Sequence, residues 1–350
     1  MESIKLRSFY ACLGLENFYS RSASRASKSD PDGLSRVPFA PIQVSCVELP
    51  FLWLGFELVC GAFGAASYKR RNQAHFLGRR VAVGHTRLGN LPKTQKWLDL
   101  VERISGSRVS VGALSAASYV EAIAAQTLEA SKAALDNAKH DSGVLYSFYL
   151  LTQVTLASRS ANWEDALALH GIRLASDTTV FDLTSEIQTA IDRHVSRSSS
   201  GATDLSEMAQ QSVGEALMSL ADARTVNLFG GSSDEVRNAI RTLSTKNGFG
   251  ELGQRFFGRF VARFLNFYLS RATAAALGGA RLQDLSDIAE FNEDLRTHCD
   301  QSARIVRDFC GDWYSKTAYQ EGIDLENASR FLAVAVRKLS SELEHQGGEA

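Results

Sequence analysis

The sequence predicts a mainly α-helical fold: a multi-helix globular bundle with an irregular, partly disordered N-terminal segment. Three observations carry that expectation. All five prolines, Pro31, Pro38, Pro41, Pro50 and Pro92, precede residue 93, leaving 258 residues without one. A proline costs about 3 kcal/mol inside a helix, so this absence suits a helical body. Apolar residues beyond residue 93 recur at helical spacing. Residues 1–48, in contrast, are rich in Ser and Arg with no sustained period. Such a stretch cannot bury enough apolar surface to offset chain entropy.

The chain therefore divides into an irregular extension (1–57), a basic loop-like segment (58–92) and a helical domain (93–350) with a sub-boundary at 196–203. Near the end of the extension, "LPFLWLGFELVCGAFGAASYKRR" (49–71) is apolar and closes on a basic triplet. Glu57 near its middle, Pro50 and three glycines argue against a membrane span, since a carboxylate at the bilayer centre costs a few kcal/mol. Any strands are expected between residues 40 and 90, for example "RRVAVGHT".

The basic segment is the sharpest compositional feature. Residues 1–100 carry 14 Lys/Arg against 7 Asp/Glu, whereas residues 101–350 carry 24 against 32. Residues 58–98 contain eight Lys/Arg and no acid. Lys69, Arg70, Arg71, Arg79, Arg80, Arg87, Lys93 and Lys96 are thus the candidate residues for an anionic partner. Three partners compete: a phosphate backbone, anionic lipid, and an acidic protein surface on this chain or another. A net charge of −1 favours the acidic protein surface, because nucleic-acid modules are usually basic overall.

The helices follow in order. "KTQKWLDLVERI" (93–104) places Trp97, Leu98, Leu100, Val101 and Ile104 on one face. Residues 111–136 make a stripe of Leu114, Ala117, Val120, Ala124 and Leu128. "GVLYSFYLLTQVTLAS", from Gly143, is apolar nearly all round and reads as a central buried helix. "SRSSSGAT" (196–203) is a connector, after which Asp204 and Glu207 start a helix in capping-box fashion. Ser232 and Glu235 repeat that arrangement. Asn247–Gly248 and Gly278–Gly279 suit helix C-termini, and Asp324 caps a last helix running toward His345. Nine or ten helices are expected after residue 92.

Motifs that could carry chemistry are few. Gly248, Gly250 and Gly253 spell GxGxxG, but no strand precedes them and no acid follows at the spacing a dinucleotide site needs; a turn between helices is the better reading. "QRFFGRFVARFLNFYLSR" sets Arg255, Arg259 and Arg263 at i, i+4 and i+8, with Arg271 further on. This second basic stripe is either a recognition surface or a core helix whose arginines pair with acids, and the core helix is preferred. Glu290, Asp294 and His298 share a face without the further ligands a metal would need. Cys12, Cys46, Cys60, Cys299 and Cys310 form no framework, which suits a reducing cytoplasm and inert thiols. "DFCGDWYSKTAY" (308–319) is expected to be a helix–helix connection. No catalytic residue, metal or cofactor is expected.

The sequence thus points to a cytoplasmic, non-catalytic accessory subunit that contacts another protein, of the kind found in multi-gene bacterial systems such as antiviral defence. Nucleic-acid binding through residues 69–96 is the alternative. An enzyme with a site assembled from distant helices is the third reading, and membrane association is not expected.

Overall fold

A computed structural model describes residues 88, 91–106, 116–222, 232–320 and 322–346. All lie in one compact unit, His75–Ala350, while the unit Met1–Ala74 falls outside the described residues. The expectations for 1–57, for strands between 40 and 90, and for the basic segment up to Arg87 therefore also lie outside them. Among the described residues there are eleven α-helices and no strand. They are α1 (Gln95–Ser105), α2 (Ala116–Asp136), α3 (Ser142–Ala157), α4 (Trp163–Ala168), α5 (Val180–Arg197) and α6 (Asp204–Asp222). The remainder are α7 (Ser233–Leu243), α8 (Lys246–Ala275), α9 (Leu285–Ser302), α10 (Arg304–Gln320) and α11 (Leu325–Gln346), and a 3-10 turn, Asn137–His140, links α2 to α3. The six-residue α4 is too short for any periodicity to reveal it, which helps explain a helix count above the expected nine or ten. None of these helices is long and apolar enough to cross a membrane.

Side-chain caps set most boundaries. Thr94 accepts from Trp97 N at the start of α1, and Asp141 accepts from Gly143 N and Val144 N, both at 2.9 Å, at the start of α3. The box before α6 sits one residue earlier than Asp204 and Glu207 suggest. Thr203 Oγ1 accepts from Ser206 N, and Thr203 N donates to Ser206 Oγ, both at 2.9 Å. Thr203 Oγ1 also donates to Asp141 Oδ2 at 2.6 Å, tying the starts of α3 and α6 together. Asp204 accepts from Leu88 N at 2.6 Å. Ser232 caps α7, and Asp324 caps α11 with Asn327 as its reciprocal partner.

Two expectations about α8 and α10 need correction. Asn247 and Gly248 do not end a helix; they lie in the first turn of α8, capped by Thr245, which accepts from Gly248 N at 3.0 Å. Residues 308–319 are not a connection but the body of α10. Gly311 lies where α8 starts against α10: a Cβ there would lie 2.3 Å from Lys246 O.

The core centres on α3 and the 30-residue α8, which packs chiefly on α10, α6 and α9. Phe249, Phe256, Phe257, Phe260 and Phe264 of α8 are all buried, each adding roughly 1.5–3 kcal/mol of transfer free energy. Phe148 of α3 stacks on Phe331 of α11 at 5.2 Å and lies against Phe256, Phe257 and Trp313. Phe249 stacks on Tyr314 at 3.9 Å, and Tyr314 OH meets Thr155 Oγ1 at 2.9 Å, so the one polar atom of that ring has a partner. The buried cluster continues through α5 and α6 on both sides of residues 198–203, and both helices pack on α3.

Candidate functional site

Glycine explains the GxGxxG stretch without a nucleotide. Gly250 and Gly253 lie inside α8 where α10 crosses it. A Cβ on Gly253 would stand 2.4 Å from Cys310 Sγ, and one on Gly250 would stand 2.7 Å from Arg307 O. These residues let two backbones approach, and the crossing brings the N-terminus of α10 beside the arginine face of α8.

That face is buried at Arg259 and half-buried at Arg255 and Arg263. Arg259 is 8% exposed, with Nε 2.8 Å from Glu215 of α6 and Nη1 3.3 Å from Asp300 of α9. Arg255 donates to Asp300 Oδ2 at 2.8 Å, and Arg263 lies 2.9 Å from Glu215. Arg296 of α9 reaches Glu215 at 3.5 Å and pairs with Glu293. Glu215 thus serves three guanidinium groups and Asp300 two. Burial pushes the Asp300 carboxyl above the usual carboxylate range, against the pull of its arginines. Burial likewise lowers Arg259, with Glu215 and Asp300 opposing.

Between α8, α9 and the start of α10 these groups enclose a pocket of about 280 Å³ in which every lining side chain is polar or charged. Arg304, at its rim, is exposed and has no ion pair among the described residues. Arg259 Nε and Nη1 are close enough to their carboxylates to pair, yet make no aligned hydrogen bond. Sequence reading picked out the three α8 arginines but not Glu215, Asp300, Arg296 or Arg304. A signal for Glu215 did exist, since it is the lone acid among the buried Val213, Gly214, Ala216 and Leu217.

Arg271 does not join this network. It lies in the last turns of α8 and lines a second hollow, an apolar groove of about 490 Å³ with Leu91, Pro92, Lys93, Trp97 and Leu98. The structure thus brings Lys93 of the basic segment together with Arg271 of the second stripe. Neither has an ion-pair partner among the described residues, whereas Lys96 pairs with Glu129 of α2. Leu98, expected on the buried face of α1, is 55% exposed at this groove, while Trp97, Leu100 and Ile104 are buried. Lys69, Arg70, Arg71, Arg79, Arg80 and Arg87 lie outside the described residues.

The remaining candidates separate. Glu290 is exposed, Asp294 half-buried and His298 buried, with burial holding the His298 imidazole below its usual range against the pull of Glu121. Among the described residues no group of three or more His, Cys, Asp or Glu could hold a metal ion. Cys299 and Cys310 are buried and unpaired, and burial drives both thiols far above the ordinary range, leaving them poor nucleophiles. No protein-family model matches the sequence, and no curated protein or solved structure matches it either.

Proposed function

We propose that this chain is a non-catalytic helical interaction subunit of a larger protein assembly, and that the groove between α1 and the end of α8 is where a partner docks. The observation that supports this reading is the apolar floor of Leu91, Pro92, Trp97 and Leu98 flanked by the cations Lys93 and Arg271. Exposed apolar surface beside unmatched charge is what an interface anchor needs. The complementary occupant is an amphipathic segment of another protein, with one apolar anchor and acidic residues on either side of it.

The test is co-purification. Tagged and expressed at its natural level in the cells that make it, the chain should bring down one stoichiometric protein carrying such a segment. Leu98→Asp and Arg271→Glu, each with unchanged circular dichroism, should each lose that partner. A chain that purifies alone, or a partner retained by both variants, overturns the proposal.

A further inference from the structure

The pocket between α8, α9 and α10 is distinct from the docking groove, and its composition exceeds what an internal ion-pair cluster requires. A self-sufficient cluster matches its charges. Here Arg255, Arg259, Arg296 and Arg304 face only Glu293 and Asp300, an excess of two positive charges. Counting Arg263 and Glu215 behind them leaves that excess unchanged. Asp300 contributes a single negative charge to this count, and its second oxygen, Oδ1, is buried against Gly258, where a Cβ would stand 2.4 Å away. Nothing apolar lines the pocket, so it is a place for a polar guest. At about 280 Å³ it has room for several waters, and hence for a phosphate group.

We propose that this pocket binds a small dianion, namely inorganic phosphate or the terminal phosphate monoester of a small molecule, gripped by Arg255, Arg296 and Arg304. All four of its cations are arginines, whose planar forks match phosphate oxygens in pairs where a lysine offers a point charge. The buried Arg259, with two nitrogens lacking aligned hydrogen bonds, supplies fixed positive charge at the floor. Thr297 and Gln301 on the α9 wall add neutral hydrogen-bonding groups. The setting selects a small ligand over a polyanion. The pocket narrows from the exposed Arg304 at its rim to Arg259, 8% exposed, and the exposed Glu293 beside the rim repels an extended phosphate chain.

Isothermal titration of the full chain with inorganic phosphate, at constant ionic strength set by chloride, tests this directly. Saturable one-site binding is expected, and dimethyl phosphate, a diester monoanion, should bind roughly tenfold or more weakly, since it forfeits one charge and its paired contacts. Arg304→Gln, an exposed position whose loss leaves the fold intact, should weaken phosphate roughly tenfold. Arg271→Glu at the other hollow should leave phosphate affinity unchanged. Absence of one-site binding, equal affinity for the diester, or an unaffected Arg304→Gln each overturns the proposal. A response to Arg271→Glu alone would place the anion at the groove and overturn it as well.

Discussion

The two hollows of the helical body are opposites, though α8 lines both. One is wholly polar, with arginines gathered around the shared carboxylates of Glu215 and Asp300. The other is apolar, with Arg271 and Lys93 at its edge and no acid facing them among the described residues. Arg255, Arg259, Arg263 and Arg271 form one stripe by helical spacing, yet the structure assigns them to two sites. Spacing on a helix decides which side chains share a face. The helices packed against that face decide whether a charge is matched: Glu215 of α6 and Asp300 of α9 meet the arginines at 255, 259 and 263, and no carboxylate among the described residues pairs with Arg271.

The strongest way to break this contrast is to remove the acid that three arginines share. Glu215→Gln keeps the shape of the side chain and leaves Arg259 buried with one carboxylate fewer. Breaking a buried pair from one side typically costs 3–5 kcal/mol, and since Glu215 is partly exposed we expect about 3 kcal/mol in urea unfolding. Adding Arg259→Met to the same chain should return part of that loss, because the uncompensated charge goes with it. Additive losses in the double variant would show that the two residues do not act as a pair.

A smaller effect is expected where α10 seats on α8, the crossing that delivers Arg304 to the pocket. Gly253→Ala places a methyl against Cys310 Sγ and should destabilise by about 2 kcal/mol, the usual range for overpacking. Cys310→Ala in the same chain removes the obstructing sulfur and should restore most of the loss. No loss in the single variant would show that the helices can part without cost.

Much of the fold was legible in the sequence, for a reason that also limits how far the site was. The proline-free body, the apolar helix from Gly143, and the caps at Ser232 and Asp324 are local features, and each stands where expected. Gly248 misled because a glycine serves equally as a helix terminator or as a contact point, and only the partner helix tells which. The pocket was half legible. Arg255, Arg259 and Arg263 share a visible spacing, whereas Glu215, 40 or more residues away, and Arg304, on another helix, meet them only through packing. The groove was less legible still, because the exposure of Leu98 depends on what fails to cover α1.

Protonation sharpens the comparison on α9, whose two faces respond to acid in opposite senses. Burial holds His298 below the usual imidazole value of 6.5, and holds His170 and His194 below it as well. The unfolded chain therefore takes up these protons at higher pH than the folded one. Their contribution is complete above about pH 6.5 and is lost as the pH falls toward the folded values. Asp300, raised by burial, keeps its proton longer in the folded chain, so its cost grows as the pH rises above the ordinary carboxylate value. Stability measured between about pH 7 and 5 should decline, and His298→Gln should flatten that decline. An unchanged slope would show that His298 titrates alike in both states.

The smallest effect on stability is expected at the groove, and its smallness is the point. Lys93 and Arg271 are exposed and unmatched among the described residues, so reversing either to Glu removes no partner and buries no charge. Surface changes of this kind usually stay within about 0.5 kcal/mol, well below the loss expected for Glu215→Gln. If either reversal instead costs more than about 1 kcal/mol, the cation is holding the fold, and the groove is part of the core rather than a docking face. The same variants weigh the groove against nucleic acid. With a protein as partner, DNA or RNA should bind no tighter than about micromolar near physiological salt, the ordinary range of sequence-independent contacts. Nanomolar binding with a steep salt dependence, abolished by reversing Arg79, Arg80 and Arg87 together, would make the phosphate backbone the partner of the basic segment. Arg271 would then mark the far edge of that surface and not the rim of a protein-docking groove.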